Sequence, residues 1–264
     1  MYTEAILPEN LACDIMERFL EKKVCLVTGA AKGIGRKIAE RFAKDGAIVY
    51  ANDLVEGEMD DWAKTLSEEE NTTVTPLYFD ICDFDAVMKA VLKIKKEQGR
   101  IDVLANNAGI VTYEPLLLID FNKLRRMFEV NVIAMIHLIQ IVSKVMKRQQ
   151  SGSIINMASI VGVKGAKGQL AYSATKGAVV SVTKSASKEL AEHGIRVNAI
   201  APGMVATERF LNEIQGRFEE KLANVGMGRY ATPEDIADAF SYFASDRSQY
   251  VTGQVLGVEG SFAL

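Results

Sequence analysis

Short runs of β-branched and apolar residues alternate along the chain with longer stretches in which apolar residues recur every three or four positions. The first pattern is typical of buried strands, and the second of helices that pack one face on a core. The strand pattern occurs at Lys23–Thr28, Ile48–Asp53, Thr73–Asp80, Val103–Asn106, Ser153–Met157, Arg196–Ile200 and Gln254–Val258. The helical pattern occurs at Ile34–Lys44, Met59–Glu69, Phe84–Gln98, Phe121–Gln149, Tyr172–His193 and Pro233–Ala244.

Strands that alternate with helices of this length pair in parallel, which predicts an α/β fold with a doubly wound parallel sheet. Ligands bind such sheets at the carboxyl ends of the strands, around the point where the strand order reverses. Functional residues are therefore expected in the loops that follow the strands and on the helices that begin there.

The chain shows no boundary between two folded domains. Its 264 residues include only 5 Pro, and it has neither a Gly/Ser-rich tract nor a fixed-period repeat. A length of this order suits a single α/β domain. We expect one domain over residues 22–264, after an N-terminal extension over residues 1–21 that need not be ordered. Met16 resembles an initiator, so the extension is either a start-site artefact or a flexible arm.

Charge and composition exclude several classes of function. The formal net charge of −3 argues against a general nucleic-acid binder, which usually has a basic face. Cys13, Cys25 and Cys82 are odd in number and lack paired spacing, and the chain has only 2 His. Neither a disulfide framework nor a metal site is therefore expected.

Neither a secretory signal nor a membrane span is expected. The N-terminal segment carries Glu4, Glu9 and Asp14 and lacks a basic region followed by an apolar core. The most apolar helical stretch, residues 130–145, is interrupted by polar residues such as Asn131. The protein is expected to be cytoplasmic.

A glycine-rich loop joins the first predicted strand to the first helix. Gly29, Gly33 and Gly35 allow a tight turn, so the helix N-terminus can face a pyrophosphate with its free N–H groups. The spacing is Gly-x3-Gly-x-Gly rather than the usual Gly-x-Gly-x-x-Gly. A plain turn between strand and helix is the alternative interpretation.

Asp53 ends the second strand and favours NAD as the coenzyme. A carboxylate there can accept hydrogen bonds from the adenosine ribose hydroxyls and would repel a 2′-phosphate. Lys32 has the opposite effect, since a basic side chain could pair with that phosphate. NAD is the expected coenzyme, and NADP is the alternative.

The loops after the third and fourth strands carry further candidates. Asp80 could accept a hydrogen bond from the adenine amino group, whereas Asp83 suits the N-cap of the next helix. Residues 106–109, Asn-Asn-Ala-Gly, would let the backbone pass close to a ligand, although asparagines also suit ordinary turns.

Tyr172 and Lys176 stand one helical turn apart, and Ser159 follows the fifth strand. A nearby ammonium group favours phenolate and is expected to lower the pKa of the tyrosine from about 10, so that the phenol can donate a proton near neutral pH. This chemistry serves reduction of a carbonyl or oxidation of an alcohol. A helix with an ordinary surface lysine is the alternative.

Together these residues resemble the short-chain dehydrogenase/reductase family. The shared motifs, in the family's order, are Gly29-x3-Gly33-Ile34-Gly35, Asn106-Asn107-Ala108-Gly109, Asn131, Ser159, Tyr172-x3-Lys176 and Pro202-Gly203 with Thr207. The resemblance covers nearly all of residues 22–264 and implies a seven-stranded parallel sheet. It also implies a dimer or tetramer, for which the small residues of the helix after Tyr172 suit close packing between subunits.

The resemblance implies a role for each catalytic candidate. Tyr172 would be the general acid/base, and Ser159 would hydrogen-bond the same substrate oxygen. Lys176 would lower the tyrosine pKa and bind the nicotinamide ribose, while Asn131 would hold a water that connects the lysine to solvent. The coenzyme-binding residues would be Gly29, Lys32, Gly33, Ile34, Gly35, Asp53, Leu54, Asp80, Ile81, Asn107, Ala108, Gly109, Tyr172, Lys176, Pro202, Gly203, Val205 and Thr207. In particular, the hydroxyl of Thr207 would bind the carboxamide.

The substrate is a small alcohol or ketone whose identity the sequence leaves open. It would be set by residues 111–120, 160–170 and 204–229, whose side chains are of mixed character. The chain is similar to NADPH-dependent 3-oxoacyl carrier-protein reductases and to sugar, polyol and hydroxysteroid dehydrogenases. A dinucleotide sensor without turnover, or an epimerase or dehydratase, are further alternatives. The sequence departs from the family at Val258-Glu259-Gly260-Ser261, where relatives often carry Asp-Gly-Gly, so the packing of this end is open.

Overall fold

A computed structural model describes residues 18–213 and 222–262. Seven parallel strands form one sheet in the order β3-β2-β1-β4-β5-β6-β7, which confirms the predicted doubly wound α/β fold. The strands are β1 Val24–Thr28, β2 Ile48–Asp53, β3 Val74–Tyr78, β4 Val103–Asn106, β5 Gly152–Met157, β6 Ile195–Pro202 and β7 Val255–Val258. The order reverses between β1 and β4, so the loops after these two strands meet at the switch point.

Helices cover both faces of the sheet. In the described part of the chain, the α-helices are α1 Gly33–Lys44, α2 Asp60–Glu70, α3 Phe84–Gln98, α4 Phe121–Phe128, α5 Met135–Gln149, α6 Val161–Lys164, α7 Leu170–Leu190, α8 Glu208–Glu213 and α9 Pro233–Ala244. Each helix or strand predicted from the sequence is present, with ends that differ by one or a few residues. The short helices α6 and α8 were not predicted, because a helix of four to six residues shows too little apolar periodicity.

The sheet is buried on both sides, as parallel sheets usually are. Along β1, Cys25 and Val27 pack in one apolar cluster with α1 and α9, whereas Val24 and Leu26 pack in a second cluster with α3 and α5. This alternation within one strand follows from the two-residue period of strand side chains. It holds the carboxyl ends of the strands, and the loops that follow them, in fixed positions.

The predicted helix over Phe121–Gln149 is continuous but contains a π-helical segment at Glu129–Ala134, between α4 and α5. Single π-turns within α-helices are frequent at functional sites. By length and composition this helix could cross a membrane, but 56% of its most apolar window is buried inside the fold. Such burial is typical of a core helix.

The described part of the chain begins before the predicted domain start. Leu20 is fully buried in the core, and its N–H donates to the carbonyl oxygen of Asp45 at 2.9 Å. The boundary at residue 22 remains a prediction, and Met16 lies outside the described residues. Residues 214–221, part of the segment expected to set the substrate, lie outside them as well.

Candidate active site

The glycine loop allows the backbone at the start of α1 to come very close to the end of β1. Gly29 and Gly33 have φ of +66° and +58°, in the left-handed region that favours glycine. A Cβ atom on Gly35 would lie 1.9 Å from the carbonyl oxygen of Gly29. Lys32 is the N-cap of α1 and makes no side-chain capping hydrogen bond. This end of the helix therefore suits the phosphates of a dinucleotide.

The loop after β4 is fastened to the glycine loop by the Asn107 side chain. Its amide nitrogen donates to the carbonyl oxygens of Thr28 and Gly29, at 2.9 Å and 3.0 Å. The Thr28 hydroxyl in turn accepts from the N–H groups of Asn107 and Ala108. Asn107 therefore does more than form a turn, because it keeps the two loops of the switch point together.

Asp53 is held at the end of β2 by two backbone groups. Its Oδ2 accepts from the N–H of Ala31 at 2.9 Å, and its Oδ1 accepts from its neighbour Leu54 at 2.8 Å. The carboxylate is thus fixed beside the glycine loop. This position suits recognition of ribose hydroxyls, as the sequence predicts.

Asp80 and Asp83 follow β3 and have separate roles. The Asp83 side chain accepts from the N–H groups of Asp85 and Ala86, which confirms the predicted N-cap of α3. Asp80 accepts from the N–H of Cys82 at 2.9 Å and lies 3.4 Å from the Arg126 guanidinium.

A groove of about 680 Å³ runs along the carboxyl ends of these strands. Most of the residues predicted to bind the coenzyme line it. They are Gly29, Lys32, Gly33, Ile34, Gly35, Asp53, Leu54, Asp80, Ile81, Asn107, Ala108, Gly109, Tyr172, Lys176 and Thr207.

The loop after β6 serves two cavities. Thr207 lines the groove. Gly203 and Val205 instead line a second cavity, which has a volume of about 1050 Å³. Pro202 is buried at the end of β6 and lines neither cavity. The Thr207 hydroxyl accepts a hydrogen bond from the N–H of Phe210 at 3.2 Å.

Tyr172 lies between the two cavities and, like Val111, lines both of them. It lines the groove together with Lys176, and it lines the second cavity together with Ser159. Ser159 also lies close enough to Tyr172 for its side chain to lower the pKa of the phenol. The predicted trio is therefore assembled at the point where a coenzyme in the groove and a substrate in the second cavity would meet.

The pKa of Tyr172 corrects an expectation drawn from the sequence. This pKa is raised to about 12, chiefly by burial and also by the charge of Tyr113, whereas the Ser159 side chain lowers it. The charge of Arg209 also lowers the pKa. The prediction that the pKa of Tyr172 lies below its ordinary value is therefore wrong for this arrangement, because the effect of burial outweighs the effects that lower it.

Lys176 is itself buried, with 4% of its surface exposed. Its Nζ donates to the carbonyl oxygen of Met157 at 2.7 Å and lies 5.7 Å from the centre of the Tyr172 ring. Burial lowers the pKa of Lys176 to about 8. This lysine is not the ordinary surface residue of the alternative interpretation.

Asn131 lies in the π-helical segment and lines neither cavity. Its side chain accepts from the N–H of Ile110 and donates to the carbonyl oxygen of the same residue, both at 2.8 Å. It also donates to the Thr175 hydroxyl at 3.1 Å. A Cβ atom on Gly109 would lie 3.2 Å from Asn131 Oδ1 and 3.5 Å from Lys176 Nζ, so the two side chains flank the same short piece of backbone.

The departure at Glu259 has a defined place in the structure. Its carboxylate accepts from the N–H of Phe262 and lies 3.5 Å from the Lys164 ammonium. Lys164 also donates to the Phe262 carbonyl oxygen at 3.2 Å. Lys164 and Phe262 both line the second cavity, so this ion pair connects the C-terminal segment to the cavity wall.

Several residues that line the groove were not among those expected to bind the coenzyme, although Val111, Glu208, Arg209 and Asn212 lie in segments expected to set the substrate. They are Asn52, Phe79, Ile110, Val111, Arg126, Val130, Met157, Glu208, Arg209 and Asn212. Most adjoin a predicted motif, so proximity to the motif was the available signal. Val130 adjoins Asn131, whereas Arg126 lies on the long helix away from any motif.

Comparison with known proteins gives a consistent result. A family model described as enoyl-(acyl carrier protein) reductase matches residues 29–262. The chain is 39% identical over 245 residues to a 3-oxoacyl-(acyl-carrier-protein) reductase FabG of Thermotoga maritima, covering 93% of this chain and 99% of the relative. The chain is also 34% identical over 247 residues to a 3alpha-hydroxysteroid dehydrogenase of Mediterraneibacter gnavus, covering 93% of this chain and 99% of that relative.

Two solved structures are similar in fold along almost their whole length. NAD+-bound xylitol dehydrogenase superposes with a TM-score of 0.87 at 29% identity, covering 91% of this chain and 99% of that one. The second structure is a gluconate 5-dehydrogenase of Beutenbergia cavernae, which is described as putative and NAD(P)-dependent and was solved with bound NADP. It superposes with a TM-score of 0.87 at 33% identity, covering 92% of this chain and 98% of that one.

Proposed function

The chain belongs to the short-chain dehydrogenase/reductase family, and on this basis we propose how its residues carry out the reaction. It is an NAD(P)-dependent oxidoreductase that interconverts a secondary alcohol and a ketone by hydride transfer.

The position of Tyr172 between the two cavities carries the proposed mechanism. In the reducing direction, its hydroxyl donates a proton to the carbonyl oxygen of the substrate, and in the oxidising direction its phenolate accepts that proton. Ser159 hydrogen-bonds the same oxygen and fixes its position. The high pKa of Tyr172 means that the hydroxyl carries its proton at neutral pH, as a donor must.

Lys176 and Asn131 support this proton transfer. The Lys176 ammonium stabilises negative charge on the phenol oxygen once the proton has left, and it binds the nicotinamide ribose. Asn131 holds Ile110 and the adjoining backbone in place beside the lysine. The water that Asn131 is predicted to bind would connect the lysine to solvent.

The glycine loop, Asp53 and the loop after β4 fit a nicotinamide dinucleotide. The lack of space for a Cβ atom on Gly35 supports a loop shaped for close approach of phosphates, and the fixed Asp53 carboxylate suits the ribose. The coenzyme supplies or accepts the hydride, while Thr207 would bind its carboxamide.

We propose NAD as the preferred coenzyme. Asp53 is held by two N–H groups and cannot move aside without losing both hydrogen bonds, so a 2′-phosphate would meet a fixed negative charge. Lys32 is the N-cap of α1 and could pair with that phosphate, which keeps NADP as the alternative.

The second cavity is the proposed substrate site. It combines apolar walls, including Met204 and Phe210, with polar groups such as Lys164 and Gln169. A medium-sized secondary alcohol or ketone with both apolar and polar parts suits it. Reduction of a 3-oxoacyl thioester is the second candidate, favoured by similarity to relatives that carry that name. A dinucleotide sensor is disfavoured by the assembled trio.

We further propose a homodimer or homotetramer in the cytoplasm. Ile133 and Ile136 on the long helix are 45% and 44% exposed, and α7 presents small residues at its surface, such as Ser181 and Ser185. These surfaces suit helix packing between two copies of the chain. Sedimentation velocity tests the assembly: a monomer at micromolar concentration would contradict it.

A screen of secondary alcohols and ketones with both coenzymes tests the proposed function. The absorbance of the reduced nicotinamide reports turnover, and the panel includes polyols, hydroxysteroids and acetoacetyl-coenzyme A as a 3-oxoacyl probe. We expect turnover of at least one compound, with NAD(H) preferred. Efficient reduction of acetoacetyl-coenzyme A with NADPH would favour the second candidate. Binding of both coenzymes without turnover of any compound would favour a sensor.

A further inference from the structure

Arg126 lines the coenzyme groove, although it belongs to no recognised motif. It lies on α4, whereas its neighbours in this part of the groove, Leu54, Asp80 and Ile81, follow strands β2 and β3. The guanidinium Nη2 lies 3.4 Å from Asp80 Oδ2. Arg126 therefore reaches the region predicted to receive the adenine.

The pairing with Asp80 has little value for folding. The side chains of Arg126 and Asp80 are 50% and 41% exposed, and ion pairs of this kind contribute about 0 to 1 kcal/mol to stability. The pairing does orient both groups, since the other carboxylate oxygen of Asp80 accepts from Cys82. Desolvation raises the pKa of Asp80, but Cys82 and the charge of Arg126 lower it overall, so the carboxylate is ionised and attracts the guanidinium at neutral pH.

Apolar side chains surround the same region. Ile81 and Val130 are buried, with 6% and 8% of their surfaces exposed, whereas Leu54 is 60% exposed. A large exposed leucine at the edge of a groove suits contact with a ligand. A flat aromatic base satisfies such apolar contacts, and a guanidinium is planar and stacks on aromatic faces.

We propose that Arg126 is a coenzyme-binding residue that closes the adenine end of the groove, with its guanidinium held by Asp80 and stacked on the adenine ring. Asp80 accepts a hydrogen bond from the adenine amino group, as predicted from the sequence, and Arg126 covers the base from the side of α4. This inference rests on the proposed function, since it takes a dinucleotide to be the ligand of the groove.

Arg125 provides a matched control, because it stands next to Arg126 on α4 and carries the same charge. Its guanidinium donates to Asn122 Oδ1 at 3.3 Å, and its side chain is exposed and does not line the groove. Arg125→Leu and Arg126→Leu therefore make the same change in net charge and helix composition. Only the second removes the group that faces the adenine region.

The test measures dissociation constants by fluorescence of bound NADH and by its displacement with AMP. NMNH, the reduced mononucleotide that has a nicotinamide and no adenine, serves as the second fluorescent probe. Arg126→Leu is expected to raise the dissociation constants of NADH and of AMP by about fivefold each. This change corresponds to about 1 kcal/mol, the value for an exposed cation on an aromatic face. Arg125→Leu is expected to leave both dissociation constants unchanged. NMNH should bind the wild-type protein and the two variants with equal affinity.

Three results would overturn the inference. One is equal NADH affinity in the two arginine variants, and another is a loss of NMNH affinity in Arg126→Leu as large as that of NADH. The third is a much larger loss for NADPH than for NADH, since that would place Arg126 at a 2′-phosphate. Failure of the wild-type protein to bind either dinucleotide would contradict the proposed function itself, so the two failures are distinguishable. Thermal unfolding of each variant confirms that the fold is retained.

Discussion

The ammonium nitrogen of Lys176 lies 5.7 Å from the centre of the Tyr172 ring and donates its hydrogen bond to the carbonyl oxygen of Met157. The two side chains of the Tyr-x-x-x-Lys pair are therefore close, yet the lysine is directed to the end of β5. Both are perturbed by burial, in opposite directions: the pKa of Tyr172 is raised to about 12 and that of Lys176 is lowered to about 8. The proton donor and its supporting cation consequently titrate far apart.

The rate of ketone reduction should fall as pH rises through about 8. Lys176 loses its proton in this range because its pKa is lowered to about 8, whereas Tyr172 keeps its own. Without the cation, the phenolate left by proton transfer is less stable, so the rate decreases. Turnover under saturating coenzyme, measured from pH 6 to pH 10, gives the profile. In Lys176→Met, the fall in rate near pH 8 should disappear, and most of the turnover should be lost. If the variant still shows a fall in rate near pH 8, the titrating group is a residue other than Lys176.

Asp53→Asn should shift coenzyme preference towards NADPH. The substitution removes the fixed negative charge beside the ribose while keeping a side chain of the same size, so a 2′-phosphate is no longer repelled. We expect the ratio of NADH to NADPH affinity to fall by about tenfold, equivalent to about 1.4 kcal/mol. Fluorescence titration measures both constants.

Asp80→Asn is the control for this shift, since it removes a carboxylate from the same groove away from the glycine loop. Its ratio of affinities should stay close to that of the wild-type protein. An unchanged ratio in Asp53→Asn, or tighter binding of NADPH than NADH by the wild-type protein, would show that Lys32 decides the preference.

Gly35→Ala should abolish coenzyme binding. The added Cβ would lie 1.9 Å from a backbone oxygen of Gly29, so the glycine loop must move away from its place at the start of α1. Such overpacking typically costs about 1 to 3 kcal/mol of stability. Thermal unfolding and NADH titration measure the two effects.

Gly177→Ala provides the comparison within helix α7. Its nearest contact would be the carbonyl oxygen of Gly162 at 3.4 Å, so the methyl group fits, and replacing a helical glycine by alanine stabilises by up to about 1 kcal/mol. We expect unchanged or higher stability and normal NADH affinity. Normal NADH binding by Gly35→Ala would refute the role assigned to the loop.

The sequence was sufficient to predict the sheet, because strand and helix periods differ and alternate regularly. The π-helical segment was not predictable, since the apolar positions of residues 121–149 continue at helical spacing through it. The hydrogen bonds of Asn131 to Ile110 and Thr175 accompany this turn, and they depend on how distant segments pack.

Residues that line the groove could be named from the sequence where motifs follow strands, as at Gly29 and Asp53. Arg126 was missed because it is an exposed residue in the middle of a helix, and only the folded chain brings it to Asp80. The error in the tyrosine pKa has a related cause. Spacing shows that Lys176 is near Tyr172, but burial, which dominates both pKa values, is a property of the whole fold.

The most direct test of the proposed mechanism is a paired measurement on Tyr172→Phe, which removes the hydroxyl and keeps the ring. Turnover is measured on an alcohol or ketone that the wild-type protein converts, and NADH affinity is measured by fluorescence titration. We expect turnover to fall by about a thousandfold, within the range for loss of a general acid, while the NADH dissociation constant stays within about twofold. Near-normal turnover with normal NADH binding would contradict the assignment of Tyr172 as the proton donor.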